Sequence, residues 1–423
     1  MGAKRLPGTA AEKPITGRFF GLGVFFAVLV PGAVAAGPAL TIERALRLAE
    51  DYAPWQRELG AEADLAESRA LEASVWPNPR LSLSQERFSA GGGTTTQRFY
   101  SLSQEFDLSG QRGLRTRAAR TRAEGVRRDA DWRRLERRAR VRERFYTVLF
   151  QQRRAAALQA SLERLDRVAA IVAERRRAGA ASGYDQHRLE RERATLRARL
   201  RQARAERERS WSGLRALLPD DVDLPASVTG SLRPDQVAPL TRFREAVAQR
   251  ADLQRLQAEA RSAELAQRAA GRAWVPDVTV GLGVTTVDQP GSDGSGSLLE
   301  LSLPLPAFDR GQAEAAAAGA RRTRAEARYQ RLLARARAEV AGLWRQTREL
   351  GAATVEFRQE ALAKSRKVTE IAEAAYRAGE LGILELLDAY RGQLDARLRA
   401  LAMARSARVS WTELARTAGG VRP

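Results

Sequence analysis

Two stretches of this 423-residue chain, from about Arg112 to Ala178 and from about Gly311 to Ala378, run without a single proline. At 1.5 Å per residue, each predicts a helix roughly 100 Å long. That is far beyond the usual length in a globular domain. In the first, Leu158, Leu162, Leu165, Ala169 and Val172 step by four, three, four and three, which is a heptad seam. A return helix is expected after each, over about Asp185 to Leu217 and about Ile383 to Ala418. In the second return helix Leu387, Leu394 and Leu401 share one heptad position. Leu384 and Leu398 nearly complete the other, with Arg391 as an exception on the seam. The chain is therefore expected to contain two long helical hairpins.

The hairpins sit in a longer repeat. Arg177-Ala178-Gly179 recurs as Arg377-Ala378-Gly379, an offset of 200. Leu108-Ser109-Gly110-Gln111 lies opposite Phe308-Asp309-Arg310-Gly311, and Trp76-Pro77-Asn78-Pro79 resembles Trp274-Val275-Pro276. Fixed-period matches in constant order mark an internal duplication. Each copy begins with a helix (Thr41 to about Ser74, with Thr41 a possible N-cap, and about Thr241 to Ala273) that a proline ends.

Two short strands follow in each copy. In the second, Val278, Val280, Leu282 and Val284 alternate with Thr279, Gly281, Gly283 and Thr285. Leu299, Leu301, Leu303 and Leu305 alternate with Glu300, Ser302 and Pro304. The first copy carries Leu81 and Leu83, then Tyr100, Leu102, Gln104 and Phe106. Period two with one apolar face marks strands with a greasy and a wet side. The runs Ser89–Thr94 and Asp288–Gly296 are rich in Gly, Ser and Asp and are expected to be exposed, mobile hairpin loops.

The resulting organisation is a leader over 1–36, a first repeat over 37–218, a linker over 219–240, a second repeat over 241–418 and a tail over 419–423. Strands are placed at about 80–88 and 98–107 in the first repeat, and at about 277–286 and 297–305 in the second. The hairpins occupy about 112–217 and 311–418. The leader reads as a secretory signal peptide: Lys4, Arg5, Lys13 and Arg18 precede a short apolar run from Phe19 to Val30, and Ala33-Val34-Ala35 is a small-x-small cleavage site. That run is too short for a membrane anchor, which needs about 20 residues. With no cysteine at the cleavage site, no N-terminal lipid anchor is expected.

Composition narrows the function. There is no cysteine and one histidine, His187, so neither a thiolate nor a histidine-based metal centre is expected, and no cofactor is implied. The net charge of +21 could suit nucleic acid, but 51 acidic residues balance much of it and the arginines spread over helical faces. With an export signal as well, no nucleic-acid partner is expected. No catalytic set emerges: His187 sits in a charged helix, and Gly281-x-Gly283 lies in a strand without a third glycine. An enzyme is not expected.

Four amphipathic strands cannot close a barrel, because small barrels need about eight. Open edges are not tolerated in a bilayer. The chain is thus expected to oligomerise so that strands from several copies close one barrel, with the helices continuing beyond it. The apolar strand face would meet lipid and the polar face would line water.

The path from Leu40-Thr41-Ile42-Glu43-Arg44-Ala45-Leu46, through Trp76-Pro77-Asn78-Pro79, to Ser103-Gln104-Glu105-Phe106-Asp107-Leu108 resembles TolC-type outer-membrane efflux proteins. So do Leu303-Pro304-Leu305-Pro306 with Phe308-Asp309-Arg310, and Tyr376-Arg377-Ala378-Gly379 with Leu386-Leu387-Asp388-Ala389. Phe308-Asp309-Arg310 after the Leu-Pro pair is most similar to the CzcC branch, which exports divalent metal cations. The resemblance implies a mostly α fold with a small β part. In it, a homotrimer builds a twelve-stranded outer-membrane β-barrel continued by a periplasmic α-helical barrel. It implies docking on a periplasmic adaptor and an inner-membrane RND-type pump, so that the chain is a passive exit duct. The alternative cargo is a drug or other small organic molecule. The rival of a different class is a periplasmic coiled-coil adaptor, which should carry one hairpin flanked by small β domains.

The resemblance also assigns positions. The hairpin tips form the periplasmic entrance, with acidic positions at Glu385 and Asp388. Members of a closing hydrogen-bond network fall on Asp185 and Tyr376, and a basic partner falls on Leu381, where the base is missing. Arg177, Gly179, Arg377 and Gly379 are the expected adaptor contacts at the tips. Simpler readings stand beside these. Glu385 and Asp388 share a face near a helix start, where the dipole favours carboxylates. Asp185 could be an N-cap, Tyr376 could be helix packing, and the glycines could serve turn geometry alone.

Overall fold

The structure is a computed structural model describing residues 39–421, apart from positions 92, 178, 180–181 and 234–235. The signal peptide expected over residues 1–36 lies outside the described residues. In chain order the first half contains α1 (Ile42–Glu50), α2 (Ala53–Glu72), β1 (Arg80–Ala90), β2 (Gly93–Phe106), α3 (Gln111–Arg177) and α4 (Gly183–Arg215). The second half contains α5 (Leu240–Val247), α6 (Ala251–Ala270), β3 (Val278–Gln289), β4 (Ser292–Ser302), α7 (Gln312–Phe357), α8 (Ala363–Ala378) and α9 (Ile383–Thr417).

The leading helix of each half is broken rather than continuous. Thr41 caps α1 by accepting from the Arg44 N–H at 3.3 Å. α1 then ends at Glu50, because Pro54 sits in the first turn of α2 and cannot accept a place further inside a helix. In the second half the break falls at Arg250, whose side chain is buried. Its guanidinium pairs with the buried Asp252 at 2.7 Å and donates to the Thr417 carbonyl at 2.7 Å. A buried charge must be paired in this way. The ion pair therefore ties the start of α6 to the end of α9.

The long helices are as the proline-free stretches predict, with one difference. α3 is a single helix of 67 residues. Its counterpart passes through a π-helical turn, Arg358–Leu362, between α7 and α8. The flanking residues Phe357 and Ala363 keep right-handed helical dihedrals, so the turn widens the helix without breaking it. Asp107 starts α3: its carboxylate accepts from the N–H groups of Gly110 and Arg112, each at 2.8 Å. Asp309 plays the related part before α7, accepting from the Gly311 N–H at 2.9 Å. Gly311 has φ +78°, and a Cβ there would meet the Ala270 carbonyl oxygen at 2.3 Å, so only glycine fits.

The strands form one antiparallel sheet ordered β1-β2-β3-β4, which joins the two halves through β2 and β3. They reach farther towards their turns than the apolar alternation suggests, while β4 stops at Ser302, before the expected Leu303 and Leu305, because Pro304 cannot donate to a ladder. Residues expected as loops are paired, including Ser89 with Thr94 and Asp288 with Asp293. The turns shrink to two residues, with Gly91 at φ +58° and Gly291 at φ +91°. Once a tight turn sets the register, ladder hydrogen bonds carry even glycine and serine into strand.

Register places Leu81, Leu102, Leu282 and Leu299 in one row across the sheet, with Leu83, Tyr100 and Val284 in the next row on the same face. All seven side chains are exposed. The opposite face is mostly small or polar, with Ser82, Ser101 and Gly283 in one row, although that row ends on Leu298 and Phe99 lies on the same face. Among the described residues, β1 and β4 each keep one unpaired edge.

The helices pack in separate clusters. One cluster holds Leu158, Leu162, Leu165 and Val172 of α3, Leu189, Leu196 and Leu200 of α4, and Tyr376, Ile383, Leu386, Leu387 and Leu394 of α8 and α9. The two hairpins thus lie against each other. A second cluster gathers Leu40, Phe145, Leu149, Leu214, Val228 and Leu232. Residues of the 219–240 connector are built into it, and Leu40 forms a parallel bridge with Val228. No helix among the described residues is long and apolar enough to cross a membrane.

A Cβ at Gly283 would meet the Tyr100 carbonyl oxygen at 2.5 Å, whereas one at Gly294 meets nothing within 4 Å. Gly283→Val should therefore cost about 1–3 kcal/mol through overpacking, and Gly294→Ala should change stability by no more than about 0.5 kcal/mol. Thermal unfolding of the two variants in detergent checks the contrast.

Candidate functional site

The connections α3–α4 and α8–α9 form the two hairpin tips. α3 ends at Arg177, which is exposed, and Gly179 turns the chain at φ +73°, its N–H donating to the Arg176 carbonyl at 3.0 Å. α8 ends in a Schellman-type cap. Gly379 has φ +83° and donates to Tyr376 O at 3.2 Å, while Glu380 N–H donates to Ala375 O at 2.9 Å. Neither glycine has a neighbour within 4 Å of where a Cβ would stand, so backbone conformation rather than space demands glycine at both. Arg377 is exposed and lies 3.8 Å from Glu373 one turn earlier.

Asp185 occupies the third position of α4 and completes a capping box. Its carboxylate accepts from the Ser182 N–H at 3.1 Å, and Ser182 Oγ accepts from the Asp185 N–H at 3.2 Å. Two free amides at the helix start are satisfied by this exchange. Tyr376 is buried, with 5% of its surface exposed. Burial pushes its phenol pKa up, the Arg175 charge pulls it down and the Asp185 charge raises it, so the net shift is upward and the phenol stays protonated. The structure thus brings Asp185 and Tyr376 into electrostatic reach, while the Asp185 carboxylate is bound to its own helix cap.

Glu385 and Asp388 are both exposed on the first turns of α9, and neither forms an ion pair among the described residues. They border a shallow groove lined by Val368, Ile371, Leu381 and Leu384, with Arg188 across from them. Val368, Ile371 and Leu384 are exposed, while Leu381 is half-buried against the hairpin core. Position 381 therefore carries an apolar packing residue where the resemblance places a base. His187 is exposed, its Nδ1 3.3 Å from a Glu190 carboxylate oxygen. Among the described residues, no group of His, Asp and Glu is placed to hold a metal ion.

Three contacts between the hairpins were not legible from the sequence. Arg175 on α3 reaches the last carbonyls of α8. Arg391, the exception on the α9 seam, is ion-paired to Glu192 of α4. Arg164 of α3 hydrogen-bonds Gln393 and lies 3.6 Å from Glu373. The Arg391 guanidinium first of all, by its hydrogen bond, holds the Glu192 carboxyl below the usual carboxylate range. A charge on a seam is tolerated when a facing charge satisfies it, and the pair fixes the register of the two hairpins.

Residues 243–420 match the model of the outer membrane efflux protein family. Over 385 residues the chain is 28% identical to the cobalt-zinc-cadmium resistance protein CzcC of Cupriavidus metallidurans, with 87% of each chain covered. Among solved structures it is similar to CusC, with a TM-score of 0.74, 17% identity, and 90% of this chain and 92% of that chain covered. It is also similar to the MtrE outer membrane channel of Neisseria gonorrhoeae in its open state, with a TM-score of 0.72, 18% identity, and coverages of 90% and 89%.

Glu192→Gln should lower stability at neutral pH by about 1 kcal/mol, the scale of a half-exposed charged hydrogen bond. The native carboxyl titrates lower than the unfolded one, so its contribution is present above the unfolded pKa and is lost as pH falls through the depressed value. Melting temperatures of wild type and Glu192→Gln should therefore converge on acidification below the carboxylate range.

Proposed function

We propose that this chain, which matches the outer membrane efflux protein family over residues 243–420 and is similar to CzcC over 87% of its length, is the passive outer-membrane duct of a tripartite system exporting divalent metal cations. The observation that carries the duct reading is the sheet. Four strands present a continuous exposed row of leucines on one face and mostly small or polar residues on the other, with both outer edges open. In a bilayer every backbone group must be satisfied, so the edges of β1 and β4 must pair with other copies. Three copies close a twelve-stranded barrel whose apolar face meets lipid and whose serine- and threonine-rich face lines water. The long hairpins then continue the duct into the periplasm. Their tips, with Arg177, Gly179, Arg377 and Gly379 at the ends, meet a periplasmic adaptor, and an inner-membrane RND-type pump supplies the energy.

The cargo reading rests on the likeness to CzcC, a cobalt-zinc-cadmium resistance protein, and on the chemistry of the entrance. Glu385 and Asp388 are exposed and unpaired among the described residues. Repeated three times around an axis, they form a ring of carboxylates. Such a ring raises the local concentration of cations and repels anions, without binding either tightly enough to trap it. Asp185 and Tyr376 stand just inside, where the two hairpins meet, and serve as the gate.

Replacing Glu385 and Asp388 together with Ala should lower the cation-over-anion permeability ratio several-fold in planar bilayers at low salt. The difference should shrink at high salt, where exposed charges are screened within about 3 Å at 1 M. Unchanged selectivity removes the acidic ring from the account. Loss of the gene in its host should raise sensitivity to zinc, cobalt or cadmium, while sensitivity to organic drugs alone would assign the duct a different cargo.

A further inference from the structure

Away from the tips, a cleft of about 450 Å³ opens over α9. Its walls are α3 on one side and the π-helical turn with the start of α8 on the other. α9 packs on α3 to one side and on α7 and α8 to the other, so the cleft does not lie at an outer edge of the chain. From Leu362 to Arg377 the helix rises roughly 22 Å, which separates the cleft from the entrance. On α3 the small side chains Ala157, Ala160 and Ser161 leave the space open.

The charged groups lining the cleft are Arg164, Arg358, Arg366 and Arg397, and among the described residues no carboxylate lines it. Arg164 is half-buried. It hydrogen-bonds the Gln393 Oε1 and lies 3.6 Å from Glu373 and 5.3 Å from the centroid of the buried Tyr390 ring. Because Gln393 accepts through its oxygen, its amide N–H groups remain to donate. Arg366 pairs with Glu370 of its own helix at 3.3 Å. Arg358 and Arg397 make no hydrogen bond or ion pair among the described residues. The lining is thus rich in donors and poor in acceptors. Clustered arginines elsewhere are matched by acids. In the larger cleft between α2, α3, α6 and α7, Arg133 and Arg255 pair with Glu62, Asp129 and Glu259.

The duplication shows how this cleft lost its acid. At the offset of 200, Arg366 stands opposite Asp166, Arg397 opposite Arg197 and Gln393 opposite Arg193. In the first hairpin Asp166 accepts from Arg193 at 2.7 Å and lies 3.9 Å from Arg197. In the second hairpin a guanidinium replaces that carboxylate, so Arg366 and Arg397 line one cleft with like charge. Arg358, at the start of the π-helical turn, stands opposite Leu158, a buried seam residue. Like charges brought together destabilise a fold unless a counter-charge joins them. A multivalent anion supplies that counter-charge, and guanidinium forks take phosphate or carboxylate oxygens in pairs. The volume lies within the range of small-molecule sites, and π-helical turns are frequent at functional sites.

We propose that this cleft binds a small multivalent anion. Arg358, Arg366 and Arg397 hold its phosphate or carboxylate oxygens, together with the Ser161 hydroxyl and the Gln393 amide. The site is separate from the acidic positions Glu385 and Asp388, and nothing in it depends on the duct reading.

Isothermal titration calorimetry of the full-length detergent-solubilised protein, at low salt and without added metal, tests the site with inorganic pyrophosphate and with tricarballylate. Wild type should bind, and the tighter of the two anions assigns the site to phosphate or to carboxylate groups. Arg358→Gln combined with Arg397→Gln should weaken binding at least about tenfold. Arg366→Asp, which restores the first hairpin's partner for the arginine at 397, should abolish binding and raise the melting temperature without anion. The bound anion should raise the melting temperature of wild type but not of Arg366→Asp. Arg201→Gln combined with Arg209→Gln removes two exposed charges from α4 and should leave binding as in wild type. Failure of wild type to bind either anion overturns the site. So does unchanged binding by the Arg358 and Arg397 variant, or equal weakening by the α4 control, which marks diffuse charge attraction. Should the Arg358 and Arg397 variant not fold, Arg366→Asp decides, and wild-type binding by it overturns the site.

Discussion

The structure turns on backbone hydrogen bonds that one chain cannot make for itself. The sheet leaves the outer sides of β1 and β4 unpaired, and its exposed leucine rows are unsuited to water. Each unsatisfied amide or carbonyl in hydrocarbon costs several kcal/mol. On the proposed duct reading, the strands need both a nonpolar surrounding and copies of themselves. Everything beneath follows from that demand. The turns leaving β2 and β4 must redirect the chain into long helices, and Asp107, Asp309 and the left-handed Gly311 perform that redirection. The short helices, the connector and the Arg250–Asp252 pair brace the long helices where they pass the middle of each repeat.

At the far end the problem is different. Two hairpins of equal design lie side by side, and symmetric apolar packing alone would leave their relative register loose. The contacts that remove this freedom are the asymmetric ones. Asp185 closes a capping box in the first tip, whereas the second tip uses a Schellman cap and leaves Glu385 and Asp388 unpaired. Glu192 meets Arg391 across the hairpins, and Arg175 crosses at the tips. Duplication supplies the scaffold, and divergence supplies the polar links between the hairpins.

Much of this was legible in the sequence because it obeys simple periods. Proline-free stretches gave the helix lengths, alternation gave the strand faces, and Gly179 and Gly379 marked the tips. What escaped has physical causes. The gap between α1 and α2 depends on Pro54, whose effect on a run of helix formers is local. The paired Gly/Ser segments escaped because ladder bonding and a tight turn overrode weak strand propensity. Arg175 escaped because it sits in a run of three arginines. Continuing the alternation of four and three past Val172 lands on Arg176, which is exposed, while the residue that crosses is one position earlier. The Arg391 exception on the seam gave a signal, but its partner Glu192 lies 199 positions away in sequence.

The mass of the native assembly tests the central claim most directly. Protein extracted from outer membranes in mild detergent should give, by native mass spectrometry, an assembly of three chains. It should dissociate to single chains only when the strands unfold. A soluble or membrane-extracted single chain with intact strand content would contradict the account, because the open edges of β1 and β4 would then need no partner.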